Sequence, residues 1–341
     1  MKITMLGTSR AGKTTYLSAL LGTLYEGAID GFRIGPFDST NEEINKELDK
    51  INVLYKEGKW PDGTSGDNVR NLSLSLFKNQ NRLVDFDFID YRGGALDDIS
   101  LNENSERTME LSMALMASDV ALVFIDSIIL YHCKNIIVAR RHLGVNPIMT
   151  VLSKAKERLA RAHKKMNVIF VLTKIDAIPE NAIPALKERV KELYSNIYSQ
   201  FGAAANEFKI FDVSAVGRNT VKTTAEWIED EEEGSRHFYV TNDIITRDLD
   251  FEASNIVAVL AQAFLEGINN VEYDVVQLES SIQNLKSTFN RWQKLIDTLF
   301  HKSVKKHQIF SLEGELRKSK SQLNDLASYR FELENLISKK Y

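Results

Sequence analysis

The chain has 341 residues, 43% hydrophobic and 26% charged, a balance that excludes wholesale disorder. Its 43 Lys and Arg against 47 Asp and Glu give a net charge of −4, which argues against a globally basic nucleic-acid binder and leaves only a local patch open; no nucleic acid is expected. One cysteine, Cys133, leaves no intrachain disulfide; with no secretory pattern in Met1–Gly7 and no run of roughly 18 apolar residues, the sequence reads as cytoplasmic, with no membrane contact expected.

The first predicted strand, Lys2–Leu6, is apolar nearly throughout, as a strand buried on both faces should be. It enters Gly7-Thr-Ser-Arg-Ala-Gly12-Lys13-Thr14, which fits the phosphate loop G-x-x-x-x-G-K-[ST], and a helical pattern over Lys13–Tyr25 follows. Gly7 and Gly12 let the backbone curl. The N–H groups of Ser9, Arg10, Ala11, Gly12, Lys13, Thr14 and Thr15 can then meet phosphate oxygens, helped by the positive end of the helix. Lys13 reaches the outer phosphates and the Thr14 hydroxyl coordinates Mg²⁺.

A long stretch from Gly27 to Gly66 comes next. It holds a helical insertion over 38–58, with Ile44, Leu48, Ile51 and Tyr55 on one stripe. Thr40-x-x-Glu43 is a capping box ahead of it. Val69–Lys78 alternates, as in an edge strand or one exposed on one face, and Leu83–Ile89 leads into Asp90-Tyr91-Arg92-Gly93. Then come a helical pattern over Ser105–Ala117, the apolar strand Val120–Asp126, a single helical pattern over Lys134–Lys165, and strand Asn167–Leu172 ending in Thr173-Lys174-Ile175-Asp176. A helical pattern over Ala182–Phe201 and strand Phe208–Val213 precede Ser214-Ala215-Val216. This alternation predicts an α/β fold with a doubly wound, mostly parallel sheet of the P-loop NTPase type.

Residues 217–250 read as an insertion, with Glu229–Glu233 a solvated acidic run and a hairpin over Arg236–Thr246. Ser254–Gly267 reads as the helix closing a nucleotide domain over 1–267. Residues 268–341 then form an α-helical hairpin or coiled-coil appendage. Its first stripe runs Val275, Leu278, Ile282, Leu285, Phe289, Trp292, Ile296 and Leu299, and its second runs from Leu312 to Ile337. The alternative is two amphipathic helices laid on the nucleotide domain.

From Asp90-Tyr91-Arg92-Gly93 onward the sequence resembles the P-loop GTPases. In their D-x-x-G motif the Asp holds Mg²⁺ through water and the Gly N–H senses the γ-phosphate, which implies these roles for Asp90 and Gly93. Thr173-Lys174-Ile175-Asp176 resembles their N-K-x-D, with Thr173 departing from Asn. The resemblance implies that Asp176 accepts from guanine N1 and N2 and that the Lys174 stem packs over the base. Ser214-Ala215-Val216 resembles the S-A-K loop whose backbone N–H contacts guanine O6. GTP or GDP and Mg²⁺ are therefore the implied cofactors. The switch threonine that approaches Mg²⁺ in the family is expected at Thr64, in a turn-rich loop before a strand, since the capping box accounts for Thr40.

Gly7-Thr-Ser-Arg-Ala-Gly-Lys-Thr-Thr-Tyr-Leu17, the helical insertion, Trp60-Pro-Asp-Gly-Thr64 and Thr173-Lys-Ile-Asp176 together look like the bacterial double-GTPase-system proteins, over about residues 1–266. The resemblance implies a role beside a second GTPase in conflict or stress responses. Lys13, Arg10 and Thr64 are the expected catalytic residues. Arg10 stands where the guanylate-binding proteins carry an internal arginine finger, and Arg92 is a weaker candidate. The Gln that follows D-x-x-G in small GTPases is Gly94 here, so turnover is expected to be slow without a partner. Two readings follow. One is a GTP-hydrolysing switch that meets a protein partner, such as a second GTPase, through loops 27–66 and 90–104 and the C-terminal helices. The other is a nucleotide-binding scaffold with negligible turnover that assembles through those helices, as a homo-oligomer for instance.

Overall fold

The frame of the molecule is set by a strand buried at every position, β5 (Val120–Asp126). A computed structural model describes residues 1–25, 27–37, 41–60, 70–91, 106–162, 164–200, 209–217, 220–230, 235–244, 253–293 and 302–339. Thr40, Thr64, Arg92, Gly93 and Gly94 lie outside the described residues.

β5 pairs in parallel with β1 (Lys2–Leu6) on one side and β6 (Asn167–Thr173) on the other. β7 (Lys209–Asp212) adds in parallel to β6, and β4 (Asn81–Asp90) in parallel to β1. Beyond β4 the sheet turns antiparallel through β3 (Arg70–Lys78) and β2 (Phe32–Pro36), giving seven strands in the order β2-β3-β4-β1-β5-β6-β7. The mostly parallel sheet expected from the alternation is present. β2 is an edge strand the sequence pattern did not mark, so β3 is internal. Cation–π contacts tie β2 to β3, with Arg33 over Phe77 at 4.5 Å and Lys78 over Phe32 at 4.2 Å.

Helices cover both faces, as parallel strands require. One face packs against α1 (Lys13–Leu24), α2 (Asn41–Glu57) and the long helix Ile256–Gln293. The other packs against helices Glu106–Met116, Val145–Arg161 and Ile183–Leu193. Tyr16 on α1 is fully buried, stacks edge-on against Phe124 at 5.2 Å and donates to Ile256 O at 3.2 Å, so the long helix is docked on the helix that follows the phosphate loop.

Several local patterns resolve differently from their sequence reading; the one over Ala182–Phe201, for instance, is two helices, Ile183–Leu193 and Ser195–Gln200. The pattern over Lys134–Lys165 is two helices, Ile136–His142 and Val145–Arg161, because Asn135 caps the first and the chain breaks at Leu143–Gly144. The hairpin after Ser214 begins earlier than Arg236: its arms are β8 (Val221–Asp230) and β9 (Ser235–Ile244), and the start of the acidic run, Glu229-Asp230, is strand. This excursion leaves and returns at one point, where Ser214 and Ser254 exchange backbone hydrogen bonds of 3.2 and 2.9 Å. Finally, the closing helix does not end near Gly267. It runs unbroken into the first apolar stripe of the tail.

Helix Lys302–Ala327 lies antiparallel on that long helix, since Lys286 meets Glu313 at 2.8 Å while Glu279 meets Lys320 at 2.7 Å. A last helix, Arg330–Ser338, turns back onto the sheet domain. Its Leu333 and Leu336 join the main core, Glu332 pairs with Lys78 of β3, and Lys339 just beyond it meets Asp30 at 2.6 Å. Among the described residues no helix is long and apolar enough to cross a membrane. Leu336 is 2% exposed, so Leu336→Ala should cost about 2–5 kcal/mol in denaturant unfolding. Phe331, 72% exposed on the same helix, should tolerate alanine within about 0.5 kcal/mol. Equal small effects would mean that this helix is not docked in solution.

Candidate functional site

β1 delivers the chain to the phosphate loop, which is pressed against the ends of β5 and β6. A Cβ on Gly7 would stand 2.9 Å from the Phe124 carbonyl oxygen, and one on Gly12 only 3.2 Å from Thr173 Cβ. Gly12 also has φ +87°, in the region that favours glycine. Between them Ser9 and Arg10 are exposed, Arg10 with φ 63°, while Ala11 is buried. Lys13 folds back across the loop, its ammonium donating to Gly7 O at 2.7 Å and Thr8 O at 3.1 Å. Thr14 and Thr15 occupy the first turn of α1, half-buried.

Asp90 ends β4, 2% exposed, and its Oδ1 has no hydrogen-bond partner among the described residues. Burial pushes its carboxyl up from the ordinary carboxylate range, and the charges of Lys13 and Arg70 pull it part of the way back. A buried carboxylate oxygen with nothing to accept from is the kind of group a hydrated cation satisfies. Among the described residues no three His, Cys, Asp or Glu gather into a protein-only metal cage. The donor set, a carboxylate and the Thr14 hydroxyl, suits Mg²⁺, which keeps several of its waters and takes phosphate oxygens.

The other half of the site is built on β6 and β7. The Thr173 hydroxyl lies 2.8 Å from Ala11 O in the phosphate loop and 3.1 Å from Ile125 O at the end of β5. The departure from Asn therefore leaves a side chain that ties both loops to the sheet. Lys174, at φ 59°, pairs with Asp126. Asp126 in turn caps helix Ser127–His132 by accepting from Ile128 N at 2.9 Å and Ile129 N at 3.2 Å. The Asp176 carboxylate accepts from Ser214 Oγ at 2.8 Å, and that oxygen accepts from Gly217 N at 2.8 Å. Ala215 is half-buried and Val216 lies in the core.

The structure thus brings Gly7–Thr15, Asp90, Thr173–Asp176 and Ser214–Val216 to the C-terminal ends of adjacent parallel strands, where open α/β sheets bind ligands. Asp126 is a member the sequence reading missed. An Asp closing a fully apolar strand and followed by a short helix was the available signal.

A phosphate loop and a Thr-Lys-x-Asp loop joined on one sheet edge define a P-loop GTP-binding protein. The chain belongs to the Double-GTPase 2 family, whose description matches residues 2–230. The match ends in β8, so the C-terminal helices lie beyond it. Among solved structures, the S. cerevisiae Ski7 GTPase-like domain bound to GDP and inorganic phosphate is 20% identical, with 63% of this chain and 43% of that chain covered and a TM-score of 0.34. The small COPII coat GTPase SAR1 of Encephalitozoon cuniculi in complex with GDP is 14% identical, with 63% and 69% covered and a TM-score of 0.26. Likenesses this distant carry no inference about function. No curated protein matches the chain.

Thr173→Val keeps the volume and removes the hydroxyl. It should leave Ala11 O and Ile125 O without that donor, lower stability by about 1–3 kcal/mol in denaturant unfolding and weaken GDP binding in a titration. Thr173→Ser should retain both properties. A valine variant indistinguishable from the wild type would show that the tie is not used.

Proposed function

We propose that this protein binds GTP with Mg²⁺ and hydrolyses it to GDP and phosphate, its nucleotide state governing its grip on a protein partner. The observation that carries this is the Thr173 tie, which fixes the loop bearing Asp176 to the loop bearing Lys13. On this reading the Asp176 carboxylate, held by Ser214, accepts from guanine N1 and N2. Adenine has no N2 amine and no N1 proton, and would leave it unpaired. Lys174, drawn back toward Asp126, offers its stem to the face of the base, and a backbone N–H of Ser214–Val216 meets O6.

Thr14 and, through water, Asp90 would hold Mg²⁺, with Thr64 joining from the switch. Bound there, the cation neutralises charge on the β- and γ-phosphates. Lys13 would give up its two carbonyl contacts and donate to phosphate oxygens instead, and Gly93 N–H would sense the γ-phosphate. In hydrolysis a water oxygen bonds to the γ-phosphorus while the bond to the β–γ bridging oxygen breaks, and the phosphate formed keeps one water proton and releases the other to solvent. Charge builds on the leaving oxygen, and Arg10, exposed in the loop, would fold over it. The partner, a second GTPase being one candidate, would read loops 27–66 and 90–104 together with the C-terminal helices.

Phosphate release under single-turnover conditions tests this. Lys13→Ala should abolish it. Arg10→Ala should lower the rate far more than the affinity, and equal rates would remove Arg10 from catalysis. Asp176→Asn should shift preference from GTP to xanthosine triphosphate. A variant that still prefers GTP would contradict the assignment of the base site.

A further inference from the structure

Helix α2 carries a charge where its stripe should be apolar. Ile44, Leu48, Ile51 and Leu54 face the core, and Glu47 lies among them, 1% exposed. Its carboxylate accepts from Ser18 Oγ at 3.1 Å and Lys50 Nζ at 2.8 Å, and it pairs with Arg70. Ser18 stands on α1 one turn beyond Thr14. Arg70 opens β3 and is the register partner of Asp90 across the antiparallel pair. One buried carboxylate therefore joins three elements around Asp90. Glu47, Arg70 and Asp90 line one small cavity, walled by Leu17, Leu72 and Phe88.

Two atoms of these residues are buried without a hydrogen-bond partner among the described residues: Asp90 Oδ1 and Arg70 Nη1. A guanidinium N–H and a carboxylate oxygen sharing a cavity would ordinarily pair, because a buried charged group left unpaired is costly. Here they do not pair, and the other terminal nitrogen of Arg70 is taken by Glu47. We infer that Glu47 is a positioning residue: it holds Arg70 off Asp90 and so keeps the Asp90 carboxylate open to the Mg²⁺ shell. The inference rests on the reading of Asp90 as the metal-side carboxylate. Without the Glu47 carboxylate, Arg70 swings onto Asp90 and competes with the cation.

The test is the release rate of a fluorescent GDP analogue from the full chain, measured across Mg²⁺ concentrations. Glu47→Gln should raise the Mg²⁺ concentration needed to slow release by about 10–100-fold. The double variant Glu47→Gln/Arg70→Met should return it to the wild-type value, and Arg70→Met alone should leave it there or lower it. If Arg70→Met weakens the Mg²⁺ response as Glu47→Gln does, or if the double variant is not rescued, the cluster is only structural and the inference falls. Should Glu47→Gln fail to fold, Arg70→Met alone decides, since a weakened Mg²⁺ response contradicts the inference. Asp90→Asn separates the underlying reading: it should remove the Mg²⁺ effect, and if it does not, Asp90 is not the metal-side residue whatever Glu47 does.

Discussion

The hydroxyl of Thr173 is the point where the two halves of the site meet. It touches the carbonyls of Ala11 and Ile125, so the end of β6, the phosphate loop and the end of β5 share one knot. The contact demands a close approach, and the close approach explains the glycines. A side chain at Gly7 would strike the Phe124 carbonyl, and one at Gly12 would crowd Thr173 itself. A loop clamped in this way presents its N–H groups in fixed positions before any ligand arrives, which lowers the ordering cost of binding. The longer amide side chain usual at position 173 in related motifs is replaced by a shorter one at a place where there is little room.

Charge is distributed unevenly around this knot. Beside the Thr173–Asp176 loop Lys174 pairs with Asp126, which also caps the helix that follows β5. Beside the phosphate loop Glu47, Arg70, Asp90 and Lys13 are drawn together in largely buried surroundings, and Arg70 Nη1 and Asp90 Oδ1 have no hydrogen-bond partner among the described residues. Such an arrangement is weak as a source of stability, because desolvating each ion offsets most of the attraction it gains. Beside the phosphate loop, such a cluster is suited to meeting a charged ligand. The tail follows the opposite logic: Leu333 and Leu336 bury apolar surface, and the ion pairs Lys78–Glu332 and Lys339–Asp30 sit at the rim.

What could be read from the sequence was what is encoded locally. β1, β5 and β6 are apolar on both faces because both faces are covered, and their runs stand out. Each candidate loop follows its strand directly, so Gly7–Thr14, Thr173–Asp176 and Ser214–Val216 were legible as strand ends in the right order. β2 was not, because five residues between Gly31 and Phe37 give too little alternation, and its partner lies some forty residues on. The first arm of the 221–244 hairpin was hidden because its polar residues merge into the acidic run. Asp126, Arg70 and Glu47 were missed for a related reason: their meaning lies in partners distant in sequence. Glu47 left one trace, a carboxylate on the inward stripe of an amphipathic helix. Such a residue is either an error of register or a buried group with a task.

The central claim is that phosphate loop and base loop form one guanine-selective site held together before ligand binds. Competition titrations of the purified chain with GDP, IDP and ADP in Mg²⁺ test it directly. The account predicts GDP tightest, IDP weaker because it keeps the N1 proton but lacks the N2 amine, and ADP weaker than GDP by orders of magnitude. ADP binding as tightly as GDP would contradict it.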